Sequence, residues 1–71
     1  MNAEKMKKWV NDDIESLAFA VNDKDIGSEM AAAHANSIKN SYESMKKAYA
    51  EDPEVVEILE IGIKAVNAIM D

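Results

Sequence analysis

DPEVVEILEIGIKAVNAIM, residues 52–70, decides how the rest of this chain has to be arranged. Asp52 followed by Pro53 is a helix start. An aspartate oxygen accepts from the free N–H groups of a first turn, and proline at the first helical position lacks an N–H that would have no partner there. Wound at about 100° per residue, Glu57, Glu60, Lys64 and Asn67 fall into a strip about 80° wide. Everything else is apolar or glycine. Val55, Val56, Leu59, Ile63, Val66 and Met70 line one flank, Ile58, Ile61, Ala65, Ala68 and Ile69 line the other, and Gly62 sits between them. A surface helix needs an apolar arc of about 100° or somewhat more, and this one has about twice that. Either two other helices of the chain cover it, or one flank is left for a second chain. The flank Ile58, Ile61, Ala65, Ala68 and Ile69 is the candidate interface, because the helices that precede it carry less apolar bulk.

The chain has 71 residues, enough for one domain. At that size little surface is buried on folding, so regular helix packing or oligomerisation has to help. There is no cysteine, which removes disulfides, thiolate chemistry and Cys-containing metal sites, and makes a reducing, cytoplasmic setting the expectation. The start turns amphipathic at once, without the apolar core of a signal peptide, so no targeting segment is expected. Glu57, Glu60 and Lys64 interrupt the most apolar run, which argues against a membrane span. Fourteen acids against eight bases, all of them lysine, give a net charge of −6. Non-specific binding to nucleic acid or anionic membranes draws on clustered Lys and Arg, so neither partner is expected, and charge steers this chain toward a basic surface.

Asn2 caps a first helix expected over residues 3–21, with Met6, Trp9, Val10, Ile14, Leu17, Ala20 and Val21 in one stripe. Two residues break its pattern: Asp13 falls inside the apolar sector and Phe19 on the polar side. Residues 22–28 read as a loop, rich in residues that bond their own backbone. Its Asp and Gly content is not a calcium loop: with Gly27 at the sixth position, Lys24, Ile26 and Ala33 would stand where ligands are needed. Ser28 is placed to cap a second helix over residues 29–50, with a stripe of Met30, Ala31, His34, Ala35, Ile38, Tyr42, Met45 and Tyr49. Short connections between helices of this length argue for an all-α fold of three antiparallel helices, up-down-up, associating as a homo-oligomer. In that arrangement Tyr42 meets the region of Gly62, a large side chain against a missing one, and His34 lies near Asp13.

Asp13 and His34 are the one pairing that resembles chemistry. A carboxylate can orient an imidazole and raise its pKa. With no nucleophile or oxyanion donor in view, the plain reading is a buried polar pair between helices, and no catalytic residue is assigned. A single histidine without Glu-x-x-His repeats or an H-E-x-x-H motif assigns no metal and no cofactor. Lys5, Lys7, Lys8 and Trp9 form a small basic-aromatic cluster, but such lysines commonly cover core with their stems. The acidic face as a nucleic-acid mimic is weakened by Lys39, Lys46 and Lys47 on the second helix. Phe19 has two readings: a contact residue on a straight helix, or a side chain turned under the loop beside Ile26 where the helix bends.

These features lead to the expectation of a non-enzymatic acidic helical interaction protein that regulates or inhibits another protein by direct binding, and that binds itself. The alternative is a homo-oligomer that binds or sequesters a small ligand such as a nucleotide, in a pocket around His34, Tyr42 and Tyr49.

Overall fold

The computed structural model describes residues 2–71, which form three helices and, among those residues, no strand. The helices are α1 (Ala3–Asn22), α2 (Ser28–Ala48) and α3 (Pro53–Met70). They pack side by side as an all-α bundle of 40 × 19 × 17 Å. The long dimension is about one 20-residue helix plus its connections.

Each boundary has a local cause. At the start of α1 the Asn2 side chain accepts from Lys5 N–H at 2.9 Å. At the start of α3 Asp52 Oδ1 accepts from Val55 N–H at 3.4 Å, with Pro53 in the first turn. The start of α2 differs from expectation. Gly27 holds the capping position in extended backbone with no side-chain cap, and Ser28 is already helical. The loop before it turns on Asp23, whose side chain accepts from Asp25 N–H at 2.9 Å while its carbonyl accepts from Ile26 N–H at 3.2 Å. The acidic loop is therefore an Asx turn. At its other end α2 stops at Ala48, two residues earlier than expected, and Tyr49 N–H closes the last turn on Met45 O at 2.8 Å.

α3 is the shared wall: it packs against both α1 and α2 more extensively than those two pack on each other. This follows from the bulk available. α2 buries Ala31, Ala35, Ile38 and Tyr42, so over its first half it presents only alanines inward. α3 buries Val55, Ile58, Leu59, Gly62 and Val66, and α1 buries Met6, Val10 and Leu17. Among the described residues, polar contacts at the α2–α3 seam are few and surface-lying: Lys39 Nζ donates to Asn67 Oδ1 at 3.2 Å, and Lys46 lies 3.7 Å from Glu60, with Glu43 of its own helix 3.8 Å away. Exposed pairs of this kind contribute little stability, so apolar burial holds the bundle together.

The two glycines stand in opposite situations. A Cβ on Gly62 would sit 2.8 Å from Tyr42 Cε2 and 2.9 Å from Val10 Cγ1, whereas one on Gly27 would meet nothing within 4 Å. Gly62 is the point where three helices touch. Gly62→Ala gains about 1 kcal/mol of helix propensity but overpacks the core at a typical cost of about 1–3 kcal/mol. Because both obstructing groups belong to buried residues, overpacking wins. Gly62→Ala is expected to lower stability by about 1 kcal/mol and the melting temperature by roughly 4–8 °C. Gly27→Ser restrains the unfolded chain and adds a cap, and is expected to raise stability by about 0.5 kcal/mol. Thermal melts followed by circular dichroism check both; equal or same-sign shifts contradict this packing.

Candidate functional site

The polar centre of the molecule is Tyr42. Its ring has no exposed surface. It stands edge-on to Trp9, with centroids 5.3 Å apart and ring planes at 69°, a geometry that aromatic pairs favour. A buried tyrosine needs a partner for its hydroxyl. Tyr42 Oη donates to Asp13 Oδ2 at 2.9 Å. Asp13 thus faces inward among apolar neighbours because it serves this phenol. Burial raises the Tyr42 pKa well above its ordinary value, and the hydrogen bond to the Asp13 carboxylate and that group's negative charge push it further the same way.

This corrects the expected buried pair of Asp13 and His34. His34 is exposed, and Tyr42, two turns further along α2, takes the place against Asp13. On the wheel of α2, His34 stands about 70° from the centre of the buried stripe, at its edge. The expected ligand pocket around His34, Tyr42 and Tyr49 is corrected with it. Tyr42 is enclosed by its own chain, Tyr49 is half-buried at the far end of α2, and His34 faces solvent. No single opening can be lined by all three. Among the described residues, no three His, Cys, Asp or Glu side chains converge as metal ligands. Among the same residues, no helix is long and apolar enough to cross a membrane. The expected basic-aromatic cluster is spread out: Trp9 turns toward Tyr42, Lys5, Lys7 and Lys8 are exposed, and Lys8 lies 3.5 Å from Asp12.

Beside the less exposed Val21 and Met70, two exposed apolar features stand out. The first is Phe19. α1 runs straight on to Asn22, whose side-chain amide donates to Ala18 O at 2.9 Å, so Phe19 is not turned under the loop and is 72% exposed. Met30, 67% exposed, opens α2 just across the same connection. It lies about 110° from the centre of the buried stripe of α2, so the sequence-based stripe that included it was too wide. The exposed residues Glu15, Asp25 and Glu29 stand near this end in the chain.

The second feature lies on α3. Of the expected flank, Ile58 is drawn into the core, Ala65 and Ile69 are half-buried, Ala68 is exposed and Ile61 is 58% exposed. Ile61 and Ile58 line a shallow groove between α3 and α1, bordered by Lys7, Val10 and Asn11. The groove continues past Ala3 to Glu54 and Glu57.

Searches of protein-family models, of curated proteins and of solved structures found no match to this chain.

The Tyr42 environment sets a pH dependence. In the unfolded chain the phenol ionises near pH 10; in the folded chain it keeps its proton to higher pH. The folded state then binds more protons, so the stability from this group is complete below about pH 10 and falls above it, by up to about 1.4 kcal/mol per pH unit. Urea unfolding of the native chain and of Tyr42→Phe, between about pH 9 and 11.5, is expected to show the native chain losing stability faster. Parallel curves contradict the buried phenol.

Proposed function

We propose that this chain is a non-enzymatic acidic interaction protein, an up-down-up bundle of antiparallel helices that regulates or inhibits another protein by binding it in the cytoplasm, and that also associates with itself. The observation that carries the binding function is Phe19, a phenylalanine 72% exposed near the end of an otherwise ordinary amphipathic helix. Together with Met30 across the connecting loop, it offers a polarisable apolar end of the kind that binding surfaces use. The chain's excess of acids suits a partner whose apolar pocket is rimmed by lysine or arginine.

The antiparallel order of α2 and α3 has support in their side-chain contacts. Lys39 reaches Asn67 while Lys46 reaches Glu60, so advancing along α2 means retreating along α3. The short connections support the same order throughout. Self-association has its support in Ile61, the most exposed large apolar residue of α3. The small-ligand alternative has no comparable support, since the residues chosen for its pocket point to different places.

Phe19 makes no contribution to the core, so Phe19→Asp is expected to leave helix content and melting temperature unchanged. Affinity capture from the native host with tagged native chain and tagged Phe19→Asp, read by quantitative mass spectrometry, is expected to show a protein retained by the first and depleted about tenfold or more with the second. Identical retained sets would contradict Phe19 as the binding residue.

A further inference from the structure

Resting on the reading that the chain self-associates, we infer that its occupant at the Ile61 face is a second copy of itself, docked antiparallel, α3 against α3, about a two-fold axis that passes beside Ile61. Each copy carries a net charge of −6, so two copies repel at long range, and a self-docking face has to bring opposite charges together locally. On α3 the exposed strip beside Ile61 holds Glu57, Glu60, Lys64 and Asn67, of which Glu60 is met by Lys46 and Asn67 by Lys39 of α2, leaving Glu57 and Lys64. They are seven residues apart, two turns along the same edge, with Ile61 next to their midpoint.

A two-fold interface pairs each residue with its mirror position along the antiparallel helix. An axis beside Ile61 therefore sets Glu57 of one copy against Lys64 of the other, twice, while the two Ile61 side chains meet at the centre. Among the described residues, neither Glu57 nor Lys64 is engaged in an ion pair within its own chain. Ala65 and Ala68, beyond Ile61 on the same side, are small enough to let a second helix lie close. A parallel arrangement would place Glu57 against Glu57 and Lys64 against Lys64, which is repulsive at both positions. The pattern fits a second α3 running the opposite way better than an arbitrary partner, because each half supplies the complement of the other.

Sedimentation equilibrium of the full chain, from low to high micromolar concentration, tests this with four variants: Ile61→Asp, Glu57→Lys, Lys64→Glu and the double reversal Glu57→Lys/Lys64→Glu. All three positions are surface-lying, and circular dichroism verifies that helix content is kept. The native chain is expected to dimerise. Ile61→Asp should abolish the dimer, each single reversal should raise its dissociation constant about tenfold or more, and the double reversal should return it to within about threefold of the native value. A dimer that is indifferent to these changes, or single reversals that the double does not rescue, would overturn the docking arrangement while leaving self-association standing. A native chain that stays monomeric throughout would overturn self-association and the docking arrangement together.

Discussion

The structure depends on one steric fit: the ring of Tyr42 from α2 and the isopropyl group of Val10 from α1 occupy the space where any residue but glycine at position 62 would carry its Cβ. This lets α3 approach both other helices at its middle. α2 needs that approach, because its first half buries only alanine and so contributes little apolar area of its own. Close contact at Gly62 compensates by bringing Ile38 and Tyr42 against Leu59 and Val66 in one core. Asp13 then completes the fit from the outside, accepting the one polar group that a buried tyrosine cannot leave unpaired.

The same fit determines which apolar side chains remain outside. With α1 and α2 drawn onto the Gly62 line of α3, their reach ends before Ile61 on one edge, and α1 carries Phe19 outward because its helix does not bend. The exposed apolar residues are thus consequences of where the core closes. The three most exposed are Phe19 and Met30, which flank the connection between α1 and α2, and Ile61 on the edge of α3; Val21 and Met70 are less exposed.

Much of this fold was legible in the sequence. The start of α3 could be read from Asp52-Pro53 and that of α1 from Asn2, because capping is local chemistry. The meeting of Tyr42 with Gly62 could be read because a bulky residue and a missing side chain at the middles of adjacent helices are complementary under any reasonable packing. The partner of Asp13 could not be read in the same way. Stripe positions on a helix recur every three or four residues, so His34 and Tyr42 satisfy the same pattern and only the helix register separates them. The burial demand of the tyrosine hydroxyl was the available signal. Met30 failed for a related reason: a stripe drawn wide enough to include it was wider than the surface α3 could cover. Phe19 depended on whether α1 continues past Ala18, a question that the Asn22 side chain answers in the structure and that periodicity alone leaves open.

The central claim is that Tyr42 fills the place of the missing side chain at position 62, and a double-mutant cycle between the two positions measures it most directly. Unfolding free energies would be determined for the native chain, Gly62→Ala, Tyr42→Leu and the double variant, so that the loss of the Asp13 hydrogen bond cancels. If the fit is as described, Gly62→Ala destabilises the native chain clearly more than the chain in which Tyr42 is leucine, where only Val10 Cγ1 still crowds the added Cβ, giving a coupling of about 1 kcal/mol. If Gly62→Ala has the same effect in both backgrounds, Tyr42 does not occupy that space and the account fails at its centre.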